Sequence, residues 1–306
     1  MKRGGAKNIV ASVQARLVER SRALGVEHQL TLARFGGERL LYRLSKSEFA
    51  DRFILNGAAL LLLWLGEQIR PTKDIDLLGF GDTSAEALER VFVSLCAKEA
   101  PEDGLTFLPE SVQVEAIRED QEYGGMRVKL MAMLGNVRIP LQIDVGAGDA
   151  VVPPPEVLDF PGLLDLPRAR LRAYRPETSI AEKTEAIVRL ALANSRMKDF
   201  FDIHQLAETR TFDGETIRLA VAATFERRGI EIPSERPLAL TSDFAEDGQK
   251  KVQWTAFVRR TRRPDLHDLP AIIAALDRFL WPVLQAAARR ETWPPTWTNG
   301  GPWKES

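Results

Sequence analysis

Two runs of alternating apolar residues constrain the fold of this chain more than any other feature. The runs cover residues 127–134 and 137–145 and are separated only by Gly135 and Asn136. Alternate residues of a strand point to the same face, and a Gly-Asn pair between two such runs is a hairpin signal. We therefore predict a β-hairpin with one apolar face. Pro140 has no N–H to donate, which predicts a bulge or an unpaired side at that position.

The chain on either side of this hairpin has two different characters. Further strands are predicted at about 74–80 and 111–119, among helical patterns, whereas the second half is nearly all helical. The Pro-rich, non-periodic segment 151–167 marks the boundary between them. We predict an α+β fold with an N-terminal α/β domain (1–165) that contains an antiparallel or mixed sheet, and a C-terminal helical domain (166–306).

Three local features refine the prediction. Gly36 and Gly37 are predicted to interrupt an N-terminal helical region. The apolar run 53–66 is too short to span a bilayer and is predicted to be a buried helix. Ser179 and Glu182 have the spacing of a capping box and are predicted to open a helix.

Composition limits the possible partners and compartments. The 306 residues carry a net charge of −1, so no global positive field attracts nucleic acid, and any such contact requires local patches. The densest basic clusters are 167–175 and 259–263, which fit a path for an RNA backbone and solvated surface about equally. Cys96 is the single cysteine, so no internal disulfide forms, and the basic N-terminus has no long apolar stretch of a signal peptide. We expect a cytoplasmic protein.

The stretch "RPTKDIDLLGF" carries two aspartates, Asp74 and Asp76, inside a predicted strand. They point to the same face, where their charges repel. Asp144 lies on the polar face of the later strand, and three converging carboxylates can bind Mg²⁺ ions, which suit in-line displacement at phosphorus. The alternative is a strand end whose aspartates are solvated or paired with Arg70 or Lys73.

A second polar set lies in the helical half. Lys183 would suit triphosphate binding, and Asp199 follows downstream. On one continuous helix these two would be roughly 160° apart, so a break near residues 194–195 has to bring them together. The alternative is a surface helix with pairs such as Lys198–Asp202.

Three stretches of the chain resemble the AbiEii/AbiGii toxin family of nucleotidyltransferases, which belongs to the DNA polymerase β-like superfamily. They are "LYRLSKSEFADRFILNGAALLLLWLGEQIRPTKDIDLLGFGD" (41–82), "IPLQIDVGAGDAV" (139–151) and "EKTEAIVRLALANSRMKDFFDIH" (182–204). The resemblance covers most of residues 30–285 and implies a polymerase β-like N-terminal domain, an NTP substrate and Mg²⁺. It also implies the 3′ end of a tRNA as acceptor, a block of translation, and a cognate antitoxin.

The resemblance also implies roles for individual residues. The implied catalytic residues are Asp74, Asp76, Lys183 and Asp199. The implied metal ligands are Asp74, Asp76 and Asp144, and the implied nucleotide-binding residues are Asn56, Gly57, Ala58, Lys73 and Lys183. Asn56 stands where the family often has lysine, and Ala58 where the superfamily has a second glycine or serine.

These observations predict a Mg²⁺-dependent nucleotidyltransferase toxin that acts on RNA, is monomeric, does not bind membranes, and has its active site in the cleft between its domains. One alternative is a small-molecule nucleotidyltransferase of the antibiotic-modifying type. The other, motivated by Asn56 and Ala58, is a catalytically silent member that binds NTP or RNA.

Overall fold

The chain divides into two compact units in the computed structural model, which describes residues 3–66, 74–117, 124–261 and 266–305. The first unit contains Met1–Gly148 and Glu156–Ala173, and the second contains Asp149–Pro155 and Tyr174–Ser306. Residues 166–173, which the sequence pattern assigned to the helical domain, lie in the first unit by these contacts. The reason is that a strand in this segment pairs within the sheet of the first unit.

The first unit contains one seven-stranded sheet. Its helices are α1 (Arg3–Leu24), α2 (His28–Ser45), α3 (Ala59–Leu65) and α4 (Ala85–Ala97). Its strands are β1 (Phe53–Asn56), β2 (Ile75–Gly79), β3 (Leu105–Ala116), β4 (Met126–Leu134), β5 (Val137–Ala147), β6 (Glu156–Asp159) and β7 (Arg170–Ala173). The strand order is β3-β4-β5-β2-β1-β7-β6. The pairs β2–β5 and β1–β7 are parallel and the other neighbours are antiparallel, so the sheet is mixed.

The predicted hairpin is confirmed as β4 and β5. Leu134 pairs with Val137 across the two-residue turn, where Gly135 has a positive φ of 62°. β2 pairs with β5 only from Ile143 onward, so among the described strands none lies beside Pro140 on that side. The missing N–H of Pro140 is therefore tolerated in the way the sequence predicts.

The two glycines of α2 determine how closely this helix packs on the sheet. The prediction that Gly36 and Gly37 interrupt the helix is wrong, because both lie inside α2. A Cβ on Gly36 would lie 3.0 Å from Cδ2 of Leu141, and a Cβ on Gly37 would lie 3.1 Å from Cδ1 of Ile75. Neighbouring strand residues face opposite sides, so α2 covers the face of Ile75 and leaves Asp76 on the other face.

The apolar run 53–66 does not form one buried helix, so that prediction is wrong. It begins as β1, turns at Gly57, and continues as α3. The positive φ of Gly57, 70°, is a conformation that other residues rarely adopt, and it lets the chain change direction between strand and helix.

The second unit is mainly helical, as predicted. Its helices are α5 (Pro176–Leu190), α6 (Met197–Thr209), α7 (Gly214–Arg227), α8 (Ser242–Glu246), α9 (Gly248–Thr261) and α10 (Leu269–Arg289). The short strands β8 (Phe212–Asp213), β9 (Thr296–Trp297) and β10 (Trp303–Lys304) form a small sheet in the order β10-β9-β8.

The start of α5 differs from the prediction. The helix begins at Pro176 with Arg175 as its N-cap, and Ser179 is buried inside the helix, so the predicted capping box is wrong. A proline fits the first helical turn because its missing N–H has no partner to lose there.

Helix α10 forms the centre of the second unit. By length and composition it is the one helix in the described part of the chain that could cross a membrane, yet half of its most apolar window is buried. Leu276 and Phe279 are inaccessible to solvent, and Trp297 and Trp303 from the C-terminal tail pack against Phe279. The tail tryptophans and α10 therefore belong to one core.

Candidate active site

A row of polar side chains crosses four adjacent strands of the first unit. Arg127 of β4 is the register partner of Asp144 in β5, Asp144 is the partner of Asp76 in β2, and Asp76 is the partner of Asn56 in β1. Register partners on neighbouring strands point to the same face, about 5 Å apart. We call these four residues, together with Asp74, the carboxylate row.

Asp74 joins the row from the position just before β2. Hydrogen bonds to Asp144, and then the charges of Asp144 and Asp74, raise the pKa of Arg127, so Asp74 is close enough to interact with this guanidinium. Ile75 is buried between the two aspartates, and Leu77 is buried beyond them. The strand therefore presents its aspartates on one face and its apolar residues to the core, as predicted.

Gly57 lies directly against Asp76. A Cβ at Gly57 would lie 2.0 Å from Oδ2 of Asp76, far inside a van der Waals contact. Any larger residue would displace this carboxylate, so a glycine is required at this position both by the contact and by its positive φ. Beside it, Oδ1 of Asn56 is buried and has no hydrogen-bond partner among the described residues.

The donor atoms of the row fit a hard divalent cation. Asp74 and Asp76 supply carboxylate oxygens, and Oδ1 of Asn56 supplies a neutral oxygen, which are the ligands that Mg²⁺ prefers. Both oxygens of Asp144 instead accept hydrogen bonds from Arg127, from Nε and from Nη2, each at 2.8 Å. Within the described residues, no three Asp, Glu, His or Cys side chains are grouped as in a metal site.

The second unit contains a lysine held between two aspartates. Nζ of Lys183 in α5 lies 3.0 Å from Oδ1 of Asp199 and 3.0 Å from Oδ2 of Asp202, both in α6. Asp202 is fully buried and Asp199 nearly so. We call these three residues the lysine cluster.

The lysine cluster depends on a break between α5 and α6. After Leu190 the chain enters one 3₁₀ turn, Ala191–Ala193, and α6 starts at Met197. Ala191 has a positive φ of 42°, and the buried side chain of Asn194 accepts a hydrogen bond from the N–H of Arg196. The predicted break near residues 194–195 is confirmed, and it brings Lys183 and Asp199 together.

A buried lysine of α9 supports this break. Lys250 of α9 is 2% exposed, and its Nζ donates to the carbonyl of Asn194 at 2.9 Å and to Oε1 of Gln253 at 3.2 Å. The ring of Phe244 lies 5.7 Å from this ammonium. A buried ammonium is costly unless its hydrogen bonds are made, so its position is fixed by these partners. Lys250 therefore anchors the turn that assembles the lysine cluster.

Comparison with known proteins identifies the family. The family described as "Nucleotidyl transferase AbiEii toxin, Type IV TA system" matches residues 39–281. The chain belongs to the AbiEii family. It is therefore a nucleotidyltransferase of a toxin family, and the type IV toxin–antitoxin system implies an antitoxin partner.

Two solved structures from Helicobacter pylori resemble this AbiEii chain. One is described as a candidate nucleotidyltransferase, at 14% identity and a TM-score of 0.44, and covers 86% of this chain and 96% of its own. The other, JHP933, has 14% identity and a TM-score of 0.42, and covers 86% of this chain and 93% of its own. None of the curated proteins compared with the chain matches it.

The structure of this AbiEii protein brings most of the predicted site residues into the two clusters. Asn56, Gly57, Asp74, Asp76 and Asp144 lie in or beside the carboxylate row, and Lys183 and Asp199 lie in the lysine cluster. Ala58 precedes the first residue of α3. Lys73 lies outside the described residues. The role of Asp144 as a metal ligand stays a prediction.

Arg127 is the residue of the row that the sequence pattern did not reveal. The turn at 135–136 contained the signal. Leu134 pairs with Val137, and counting seven residues away from the turn on each strand pairs Arg127 with Asp144. Lys250 gives no such signal, because its partner Asn194 is remote in sequence and is reached only through helix packing.

Beside Lys183, a buried carboxyl has an unusual proton affinity. Burial, and then the charge of Asp149, raise the pKa of Glu182 to about 7. Arg228 lies nearby, with Nη2 3.7 Å from Asp149 and with a hydrogen bond from Nη1 to Glu185. This network ties α5 to α7 around the lysine cluster.

The structure describes all of the first basic cluster, 167–175, but only part of the second, 259–263. In the first, Arg172 donates to the carbonyl of Asp51 at 3.1 Å, and its guanidinium lies 5.7 Å from the ring centre of Phe80. In the second, Arg259 and Arg260 end α9 and are exposed, while residues 262 and 263 lie outside the described residues. The RNA path predicted from these clusters stays a prediction.

Proposed function

We propose that this AbiEii toxin transfers a nucleotide from an NTP to the 3′ end of an RNA, with a tRNA as the acceptor, and so blocks translation. The observation that carries the proposal is the carboxylate row, where Asp74 and Asp76 share one face of the sheet beside Gly57 and Asn56. Paired carboxylates on one face suit nucleotide chemistry that requires a divalent cation. We propose that the toxin acts in the cytoplasm, because NTPs and tRNA are found there. We also propose that it acts as a monomer.

In this proposal each residue of the two clusters that takes part in the reaction has a defined role. Asp74 and Asp76 would hold Mg²⁺, which would supply positive charge to neutralise the triphosphate at phosphorus. Gly57 leaves room for the Asp76 carboxylate. Lys183 contacts the triphosphate, and Asp199 and Asp202 fix the direction of its ammonium.

The proposed reaction is one displacement at the α-phosphorus. The oxygen of the RNA 3′-hydroxyl forms a bond to this phosphorus while the bond to the oxygen bridging the α- and β-phosphates breaks. Pyrophosphate leaves with the bonding pair, and the hydroxyl proton is released. The products are an RNA longer by one nucleotide, pyrophosphate and one proton.

The test is incorporation of labelled nucleotide into RNA. The purified protein is incubated with Mg²⁺, total tRNA and each of four α-labelled NTPs in turn, and the RNA is resolved on a gel. We expect labelled tRNA with wild-type protein and a loss of about 10³-fold with Asp76→Asn, since a metal site contributes several kcal/mol to catalysis. Asp82→Asn, which changes an exposed aspartate near the end of β2, serves as the control and should retain full activity.

Three results would contradict the proposal. Equal labelling of RNA by wild-type protein and by Asp76→Asn would show that the carboxylate row takes no part in the reaction. Label on an added aminoglycoside but not on RNA would favour the small-molecule alternative, and an absence of labelled product with bound NTP would favour a binding protein.

A further inference from the structure

Arg127 and Asp144 form the best-defined ion pair of the carboxylate row. Nε and Nη2 of Arg127 each donate to a different oxygen of Asp144 at 2.8 Å, the parallel two-bond geometry in which guanidinium and carboxylate match. The amide of Gln142, with its oxygen turned toward Arg127, accepts from the same two nitrogens at 3.1 and 3.2 Å. Two residues of β5 therefore hold the same edge of the Arg127 guanidinium, the edge with Nε and Nη2.

This pair changes which carboxylates are available to a cation. Asp144 lies beside Asp76 in the register of β5 and β2, where it would be a bridging ligand for a second metal. Its two oxygens already face a permanent cation, because a guanidinium does not lose its proton in proteins. A second metal at Asp144 would have to displace both hydrogen bonds and would bring its own charge close to that of Arg127.

We propose that Arg127 takes the place of a second metal ion in this site. Asp74 and Asp76, with the oxygen of Asn56 beside them, bind one divalent cation, and Asp144 stays paired with Arg127. The proposal rests on the proposed function in assuming that the row binds an NTP with its metal. It goes further in fixing the number of metal ions and in assigning the second positive charge to the chain itself.

The shape of Arg127 suits this substitution. Its side chain is 31% exposed, and neither N–H of Nη1 has a hydrogen-bond partner among the described residues. A second metal neutralises charge on phosphate oxygens, and the outer edge of a guanidinium fixed by a carboxylate can do the same through hydrogen bonds. Arg127 is thus a cation that the fold itself supplies, in register with Asp144, which is in turn the register partner of Asp76.

The experiment counts bound Mn²⁺ and does not depend on activity. Mn²⁺ is titrated into the full chain with one equivalent of an α,β-methylene NTP, and free Mn²⁺ is measured by electron paramagnetic resonance. We expect about one bound Mn²⁺ for wild-type protein and about two for Arg127→Gln, because the variant releases Asp144 as a ligand. The double variant Arg127→Gln/Asp144→Asn should return to about one, since the second site needs this carboxylate.

A matched control and a second variant keep the result interpretable. Arg138→Gln removes an exposed arginine that faces the same side of β5 as Asp144, and should leave the count unchanged. Asp144→Asn alone should bind Mn²⁺ within about twofold of the wild-type affinity, which tests the proposal even where Arg127→Gln does not fold.

The outcomes separate this proposal from the proposed function. Two Mn²⁺ ions in wild-type protein, a count that stays at one in folded Arg127→Gln, or an affinity loss of about tenfold in Asp144→Asn would overturn the role of Arg127. No bound Mn²⁺ in wild-type protein would instead contradict the metal-dependent function itself, and this role with it.

Discussion

The carboxylate row and the lysine cluster both contain more acids than bases, but they use them differently. The row has three carboxylates and one guanidinium on a partly exposed sheet face, and the cluster has two carboxylates around one ammonium in a buried setting. The row is assembled by strand register, and the cluster by a break between helices. The proposed cation of the row comes from solution, whereas the buried cluster has its cation built in and holds it in one direction.

If this comparison is correct, removing the built-in cation of the cluster should have the largest effect on stability. Lys183→Met leaves Asp199 and Asp202 buried beside each other without their ammonium, and we expect a loss of about 3–5 kcal/mol in the free energy of unfolding. Urea denaturation measures it. Lys198→Met, at an exposed position one residue before Asp199, is the control and should change stability by less than about 0.5 kcal/mol.

The same measurement on the row sharpens the contrast. Arg127→Gln removes a cation whose partner, Asp144, is partly exposed. We therefore expect the free energy of unfolding to fall by only about 1 kcal/mol. Equal losses for Lys183→Met and Arg127→Gln would mean that burial does not distinguish the two regions.

The next effect concerns the geometry of the row. In Gly57→Ala the new methyl group needs the space of the Asp76 carboxylate, and we expect about a 10²-fold loss of RNA labelling, as for a displacement of about 1 Å at a reacting site. Gly66→Ala is the matched control, because Gly66 also has a positive φ, 83°, but no atom of the described residues lies within 4 Å of the place where its Cβ would be. Similar activity losses in both variants would show that backbone strain, and not the contact with Asp76, is responsible.

A smaller effect is expected where the fold supports the cluster from outside. Lys250→Met keeps the length of the side chain but leaves the carbonyl of Asn194 without this hydrogen-bond donor. We expect the free energy of unfolding to fall by about 1–3 kcal/mol. We also expect a higher KM for NTP, because the turn that positions Lys183 loosens. Lys251→Met changes the exposed neighbour in α9 and should alter neither quantity. A stability loss with an unchanged KM would limit Lys250 to a structural role.

The smallest effect is a pH dependence to which each unit contributes one acid. Burial raises the pKa of Glu38 in the first unit to about 7, and burial with the charge of Asp149 raises that of Glu182 to about 7. The folded chain keeps these protons at pH values where the unfolded chain has released them. The contribution of each of these two acids to the free energy of unfolding therefore falls as pH rises from about 4.5 to about 7.

Urea denaturation across this pH range tests the two acids separately. Glu38→Gln and Glu182→Gln should each make the fall with pH shallower, because the amide has no proton to lose. A variant whose pH profile matches that of the wild type would show that its carboxyl is not protonated in the folded chain.

Part of the site could be predicted from the sequence because it depends on local patterns. The alternation of apolar residues and the Gly-Asn turn predict the hairpin, and the spacing of Asp74 and Asp76 predicts a shared face. The angle between Lys183 and Asp199 on an uninterrupted helix predicts the break between α5 and α6. In each case the geometry follows from residues close together in the chain.

Other predictions failed where packing overrides a local pattern. Gly36 and Gly37 were predicted to interrupt a helix, yet their lack of side chains lets α2 contact Ile75 and Leu141 of the sheet. The apolar composition of residues 53–66 predicted one helix, but the first four residues complete the sheet as β1. Helix and strand are decided there by the partner surface rather than by propensity.

The sequence by itself determined an α+β chain with a nucleotidyltransferase family resemblance, two aspartates on one strand face, and a lysine that needs a break to meet Asp199. Only the tertiary structure decided that Arg127 pairs with Asp144, that Gly57 lies against Asp76, and that Lys250 anchors the turn at Asn194. The physical reason is that strand register and helix packing join residues distant in sequence, and such contacts are fixed by the shape of the whole core rather than by any local period.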